Sequence, residues 1–453
     1  MMQHSFAASN RTSMKIKPFI ISLLLLIMAG SIQAQPKAYS LSDCLNRAVE
    51  YNLQVRQAML TTESRQVNKV QTSAARFPTL DAAARQNFIW NDTQSQDGSY
   101  DLTGTNNSTF TVNSNVSLFN GYRITNSIKQ AGLAYDVSKL DVEALRESIS
   151  LQVLDNYLQV LYAGELLTNS KNQLLSTREQ LAYAQERLEL KIISRADYLQ
   201  VLAQEASEKL TLANAEKQLQ LSRVNLMQLL ELPVNDSFAI VIPDLSKADK
   251  RLLTEDAGRI YETALSYRPE IQAASIQKQI AGYDIEIAKS GFLPSLSMNA
   301  GVSTNYSSLA ESLKYASQLD HNMASSVGLT LSIPIFQQKQ VRSQLSLAKI
   351  NMASAEISEQ NTRNQLRKSV ETAWVDVLSA EKEFDASNEQ FAATSESFLV
   401  ATERFNQGVI NSVDFLYEKT NLINAESKLL QARYNLIFSY KVLDFYQGKP
   451  LEI

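Results

Sequence analysis

Apolar and polar positions along this chain follow two different periods, and each period predicts a different element. In Leu80–Trp90 the even positions carry Leu80, Ala82, Ala84, Gln86, Phe88 and Trp90. In Phe110–Phe119 they carry Phe110, Val112, Ser114, Val116 and Leu118, set against Thr111, Asn113, Asn115 and Ser117. The pattern returns later, where Leu296, Met298, Ala300, Val302, Thr304 and Tyr306 alternate with Ser297, Asn299, Gly301, Ser303 and Asn305. Met323, Ser325, Val327, Leu329, Leu331 and Ile333 then alternate with Ala324, Ser326, Gly328, Thr330 and Ser332. Period two sustained over whole segments predicts strands with one apolar and one polar face. The stretch after the first strand pair changes period. Ile124, Ile128, Ala131, Tyr135, Ser138, Val142, Leu145 and Ile149 step by alternating fours and threes, the 3.5-residue repeat of a coiled coil. Proline is absent from Gly121 to Leu190, so a helix of about 65 residues is expected, roughly 100 Å long.

Comparison of the chain with itself explains why the pattern occurs twice. Ala48–Ala58 aligns with Ala264–Ala274 at an offset of 216, as does Phe77-Pro78-Thr79-Leu80 with Leu293-Pro294-Ser295-Leu296. Glu186–Leu199 aligns with Glu403–Leu416 at 217 with five identities in fourteen, and Pro233 and Pro450 share that spacing. Val341, Leu345, Ala348, Met352 and Ala355 repeat the heptad stripe, also at 217. Ordered anchors with a single one-residue shift define a tandem duplication. The expected division is repeat 1 at 35–244, with a strand pair about 78–119 and a long helical hairpin about 121–232. Repeat 2 then covers 245–453, with a strand pair about 294–336 and a hairpin about 338–447.

Composition narrows the function. Only 13 Gly and 9 Pro punctuate 453 residues, too few for a many-turned β protein, so the chain is mainly α with four strands. Lys+Arg (43) is outnumbered by Asp+Glu (47) and no basic block occurs, which argues against a nucleic-acid partner. The single cysteine, Cys44, rules out a disulfide framework. With only His4 and His321 available, no histidine metal site or catalytic cluster is visible, and no cofactor is called for. Residues 1–34 read as a signal peptide: Lys15 and Lys17 precede the apolar stretch Phe19–Ala29, and small residues lead to Ala34. That stretch is shorter than the ~20 residues a membrane helix needs.

Two readings fit the strands: a soluble sheet packed on a helix, or part of a membrane barrel. Three features favour the barrel. The strands reach the ~9–11 residues that cross a bilayer when tilted. Their polar faces are Ser, Thr, Asn and Gly, charged only at Asp81 and Arg85. Aromatics gather near the strand ends, with Phe88, Trp90 and Tyr306 towards one rim and Phe77, Phe119, Phe292 and Phe336 towards the other. The polar segments Asn91–Asn106 and Ser307–Asn322 are then expected as outer loops. Four strands cannot close a barrel, and an open edge in lipid leaves backbone groups unsatisfied. Three copies would supply 12 strands, and the heptad helices would continue the pore as a tube.

The chain resembles the TolC family of outer-membrane efflux and secretion channels over essentially all of its mature length. The resemblance rests on Tyr39–Ala58, the Pro-x-Leu strand starts at Pro78 and Pro294, and the strand-to-helix junctions Ser117–Tyr122 and Ile333–Gln337. Two tip segments ending in Asp-Tyr-Leu and Asp-Phe-Leu complete it. It implies a homotrimer with a 12-stranded barrel in outer-membrane lipid, an α-helical periplasmic tunnel, and a periplasmic adaptor and inner-membrane pump as partners. It implies a passive exit duct for small molecules, with protein secretion as the alternative use. A trimeric coiled-coil adhesin fits less well, because its four strands are consecutive and C-terminal. Cys44 is expected as a packing residue.

The resemblance also places Asp197, Asp414, Phe405 and Ile410 at the periplasmic aperture, with Lys191, Ser194, Gly408 and Asn411 in the tip turns. Lys191 stands where the family turn carries Gly, and Gly408 keeps it. Phe405 and Ile410 replace polar residues, leaving no polar latch at those two positions. The residues themselves allow a plainer role. Ser194-x-x-Asp197 and Asn411-x-x-Asp414 read as N-caps with an acid three residues on, so capping alone and capping with pore lining both remain open.

Overall fold

The computed structural model describes residues 38–94, 98, 100–233, 238–243, 255–310 and 313–452. The signal segment 1–34 and the repeat boundary at 244–245 lie outside the described residues. Each repeat builds the same series of helices at the same lengths. Repeat 1 contributes α1 (Leu41–Tyr51), α2 (Leu53–Ala74), α3 (Arg123–Glu189) and α4 (Arg195–Leu229). Repeat 2 contributes α5 (Ala257–Tyr267), α6 (Pro269–Ser290), α8 (Gln340–Asn406) and α9 (Ser412–Tyr446), with α7 (Tyr315–His321) between its strands. The paired helices are 11, 22, 67 and 35 residues long in both repeats. At ~1.5 Å per residue the 67-residue helices reach about 100 Å.

The duplication is visible in the backbone at its most constrained points. Left-handed residues pair at an offset of 217: Gly121 with Gln338, Tyr122 with Lys339, Lys191 with Gly408, and Glu231 with Gly448. The first two pairs turn strand into helix and the last two end helices. At Gly121 a Cβ would lie 2.7 Å from the Ser290 carbonyl oxygen, so close backbone approach demands glycine there. Helix entry differs between the repeats. Asn52 caps α2 by accepting from the Gln54 and Val55 N–H groups. Arg268 stands at the matching place before α6, where Pro269 at the first helical position has no N–H to cap.

The four long strands are β2 (Thr79–Gln94), β3 (Tyr100–Asn120), β5 (Ser295–Ser307) and β6 (Ala324–Ser332), forming one antiparallel sheet in the order β2-β3-β5-β6. Two-residue strands β1 (Ala38–Tyr39) and β4 (Ala239–Ile240) pair in parallel elsewhere. The register puts Ala82 opposite Val112, Val112 opposite Val302, and Met298 opposite Leu329. Directly opposed residues share a face, so the apolar positions of all four strands form one surface. Asp81, Asn113, Gly301 and Ser326 line up on the other. A bulge at Ser117/Phe119 leaves Leu118 as the extra residue and sets Phe119 opposite Leu296.

The outer loops differ from expectation. Most of Asn91–Asn106 is strand, because β2 and β3 stay paired out to Gln94 and Tyr100. A backbone ladder needs no apolar face once it leaves the lipid, so alternation faded before pairing did. Segment Ser307–Asn322 holds the short helix α7. Buried Gln318 clamps it, accepting from the Ser307 N–H at 3.0 Å and donating to the carbonyls of Ser307, Ala310 and Leu313.

The core sits around the junction of short and long helices, not at either end. One cluster joins Cys44, Val55, Ile149, Leu154 and Leu226 with Leu430, Tyr434 and Ile437. A second joins Ile260, Val370, Val377, Leu436, Tyr440 and Leu443. Cys44 is wholly buried, and burial pushes its thiol up to about 12, which makes it an inert packing residue. Within the chain α2 packs on α3, α3 on α6, and α6 on α8, leaving α2 and α8 as the edge helices of the layer.

Candidate functional site

Hairpins α3–α4 and α8–α9 turn back at the end opposite the sheet, and the candidate residues gather there. Both turns close in the same way. The Ile192 N–H donates to the Arg187 carbonyl at 2.8 Å and that of Lys191 to Leu188 at 2.9 Å. Val409 and Gly408 donate to Arg404 and Phe405 in the same pattern. These are paired Schellman closures with Lys191 (φ 59°) and Gly408 (φ 74°) in the left-handed position. The next helices start on caps. Ser194 and Asp197 form a reciprocal capping box, the Asp197 N–H donating to Ser194 Oγ at 3.1 Å and the Ser194 N–H to the Asp197 carboxylate at 3.2 Å. Asn411 accepts from the Asp414 N–H at 2.9 Å. Asp414 itself is exposed.

Asp197 has a second partner. Buried Ser412, the first residue of α9, donates its hydroxyl to Asp197 at 2.6 Å and lies 2.7 Å from the Gln200 side-chain oxygen. A hydrogen bond therefore does join the two hairpins at the tip, made one residue past Asn411 and not at Phe405 or Ile410. Hydrogen bonds from Ser194 and Ser412 hold the Asp197 carboxyl below the ordinary carboxylate range. Phe405 turns into hairpin α8–α9, stacked on Phe415 at 4.6 Å, with the Arg187 guanidinium 5.9 Å from its ring. Ile410 is half-buried. Together Asp197, Phe405, Gly408, Ile410, Ser194 and Asn411 line one groove of about 530 Å³ between the hairpins. Asp414 and Lys191 lie outside its lining.

Above Ser412, polar side chains of α9 reach the other hairpin at seven-residue steps. Lys419, 3 % exposed, lies 3.4 Å from Glu208 Oε1 and donates to Thr177 Oγ1 and to Gln180 at 3.2 Å. Thr177 donates to Glu208, and Gln204 donates to Glu208 at 3.0 Å. One heptad further, Glu426 accepts from Gln173 at 3.1 Å. Beyond it Tyr434 donates to Glu165 at 2.7 Å. None of these residues stood out from the sequence, although polar Ser412, Lys419 and Glu426 at strict heptad spacing were a readable signal. Among the described residues no group of three or more His, Cys, Asp or Glu is placed to hold a metal ion.

A long two-hairpin helical layer carrying a two-faced sheet at its far end defines a class of protein: an outer-membrane duct with a periplasmic helical extension. No described helix is long and apolar enough to cross a membrane. A family model described as "Outer membrane efflux protein" matches residues 44–231 and 260–448, one match in each repeat. The chain belongs to that family and is an outer-membrane efflux channel. It is 24% identical over 361 residues to the outer membrane protein TolC of Escherichia coli (strain K12), covering 71% of this chain and 70% of TolC. It is 24% identical over 432 residues to the solvent efflux pump outer membrane protein SrpC of Pseudomonas putida, covering 88% of this chain and 84% of SrpC. Its fold superposes on the CusC channel with a TM-score of 0.79 at 18% identity, over 92% of this chain and 93% of that one.

Proposed function

We propose that three copies of this chain close into one passive exit duct, through which an inner-membrane pump and a periplasmic adaptor export small molecules. The observation that carries this reading is a pair of unfilled edges that agree with each other. In the sheet, β2 and β6 are the outer strands, and every residue of β6 is exposed. In the helical layer, α2 and α8 are the edges, and each bears an outward apolar seam. Leu60, Val67 and Val70 of α2 are exposed, as are Leu347, Ile350 and Ile357 of α8. Their sevens and threes match a coiled-coil seam. One rotation that sets β6 of a protomer on β2 of its neighbour also sets α8 on α2, so sheet and layer close in the same direction. Three such steps give 12 strands, an even number suited to a barrel. A solvent pump component among the relatives supports small-molecule cargo.

At the tip, Asp197 and Asp414 would then occur three times each, and six carboxylates near one constriction favour cations. The test uses the purified protein in detergent and in planar bilayers. Light scattering is expected to give a protein mass near three protomers, and Asp197→Asn with Asp414→Asn is expected to abolish cation preference in the reversal potential. A stable monomer that retains its strands overturns the trimer. An unchanged reversal potential in an assembled double variant leaves the aspartates as helix caps.

A further inference from the structure

The duplication displays, inside the chain, a copy of the seam that the outer strands need. β3 is the second strand of repeat 1 and β5 the first of repeat 2, and they pair from Asn107 opposite Ser307 down to Asn120 opposite Ser295. Their repeat counterparts are β6 and β2, the two outer strands. β2 and β5 are related by an offset of 216, and the turns that follow β3 and β6 by 217. Carrying Asn107 forward by 217 and Ser307 back by 216 sets Ala324 of one protomer opposite Asn91 of the next. The same step sets Ser325 opposite Trp90 and Val327 opposite Phe88, apolar face to apolar face. A slip of one residue would cross the faces.

Above Ala324 the template and the edge differ. β6 begins at Ala324, opposite Ser303, although β5 runs on to Ser307. The Ser308 N–H donates to the Asn106 carbonyl at 2.9 Å, and the backbone groups of successive strand residues point to opposite sides. Those of Ser307 and Asn305 therefore point away from β3, along the edge that β6 leaves bare. Helix α7 lies on that edge. The Gln318 side chain accepts from the Ser307 N–H at 3.0 Å and donates to the Ser307 carbonyl at 3.1 Å, as a paired strand residue would. Asn322 donates to the Asn305 carbonyl at 2.7 Å, and Thr304 donates to the Leu319 carbonyl at 2.5 Å. The Tyr315 ring stands 4.6 Å from that of Tyr306. Thr304 and Tyr306 belong to the apolar face, so α7 leans to that side. β2 continues beyond Asn91 to Gln94, so the neighbour's strand outruns β6 and passes the level of α7.

We propose that α7 replaces the outer end of β6: it satisfies the β5 edge with side chains and closes the gap against β2 of the neighbouring protomer. This rests on the duct reading above and adds which residues meet. Met323 comes opposite Asp92 on the apolar face, and His321, exposed at the end of α7, comes up beside it. A bare strand edge at this rim would recruit other chains, and a helix with two amide side chains removes that edge without extending the ladder.

Cysteine pairs test the arrangement in the full protein purified in detergent. Cys44 is wholly buried, so engineered thiols report alone. β2 and β6 stand three strand spacings apart in one sheet, about 14 Å, so a disulfide between them joins two protomers. Asn91→Cys with Ala324→Cys is expected to give reducible covalent trimers on a denaturing gel, because Asn107 and Ser307 are a pair without mutual backbone hydrogen bonds, the closer of the two kinds. Asn87→Cys with Ala324→Cys, four residues off, is expected to give none. Asp92→Cys with His321→Cys, treated with a short bifunctional maleimide, is expected to give linked trimers. Adding Gln318→Ala should cut that yield several-fold and leave the first pair unaffected. All five cysteine positions are exposed in the chain, so assembly should survive the changes. Linkage through Asn87 in place of Asn91 overturns the register. A bonded first pair with no link from α7 overturns the seal and leaves α7 as a cap on its own strand. A link from α7 that Gln318→Ala does not weaken overturns the clamp. Protein that light scattering shows to be monomeric would count against the duct reading itself.

Discussion

The two ends of α9 belong to different kinds of interface. Its upper half lies among two apolar clusters and the ring of Phe445, over which the Arg268 guanidinium sits at 4.3 Å. Arg268 is buried there between Glu147 and Glu270, each 2.9 Å away, and burial raises the Glu147 carboxyl more than the arginine lowers it. Its lower half meets the other hairpin through a serine, a lysine and a glutamate. The same helix is therefore fixed at one end and fastened at the other. Apolar burial resists any separation, while hydrogen bonds to groups that water can replace resist it weakly. Stability should reside in the middle of the molecule, and adjustable geometry at the tip.

The largest effect tests the fixed end. Leu154 is fully buried in the cluster that α9 shares with α1, α3 and α4. Leu154→Ala should destabilise the protein by about 2–5 kcal/mol per protomer, read as a lowered denaturation midpoint, with little change in conductance before unfolding. A leaky but equally stable channel would break the comparison, because the middle would then be the moving part.

A smaller effect tests the fastened end. Ser412→Ala removes the donor that Asp197 accepts from the other hairpin. The expected loss is about 1 kcal/mol, too little to unfold the protein but enough to raise conductance. Acid should mimic it. The Asp197 carboxyl is held below its ordinary value, so its contribution is present above the unfolded-state pKa of ~3.9 and disappears only as pH falls through the lower folded value. Conductance should therefore hold steady down to about pH 4 and rise below it, and this acid step should be absent in Ser412→Ala if the link is what titrates.

Which of these features the sequence displayed follows from how each one is encoded. The sheet faces and the heptad stripe were legible because burial repeats with backbone period: Val142, Ile149, Val341 and Ala348 of the predicted stripe are buried. The duplication was legible because turns, caps and prolines are local. What stayed hidden depends on contacts between distant segments. The β1–β4 pairing joins residues 38–39 to 239–240 through backbone groups that any residue supplies. Ser412 and Lys419 are buried against the other hairpin, a contact between segments more than 200 residues apart. The Phe405 ring stacks on Phe415 across its own hairpin, a pairing that spacing along one helix does not show. Even Asn91–Asn106 misled through polarity, since a ladder held by backbone bonds continues where the apolar face ends.

The smallest effect compares the two tip turns directly. Lys191 and Gly408 hold the same left-handed position at φ 59° and 74°, with the same closing hydrogen bonds. A side-chain-bearing residue in that conformation costs about 1–2 kcal/mol, and glycine gives back part of any gain because it loses more freedom on folding. Lys191→Gly should thus stabilise the protein by roughly 0.5 kcal/mol, and Gly408→Ala should destabilise it by about 1 kcal/mol. Nothing lies within 4 Å of a Cβ added at Gly408, so the second change tests backbone conformation without a steric clash. Denaturant midpoints of the two variants should move in opposite directions. If both fall, Lys191 makes a contact at the tip that its exposure conceals, and the two turns are equal in backbone but not in role.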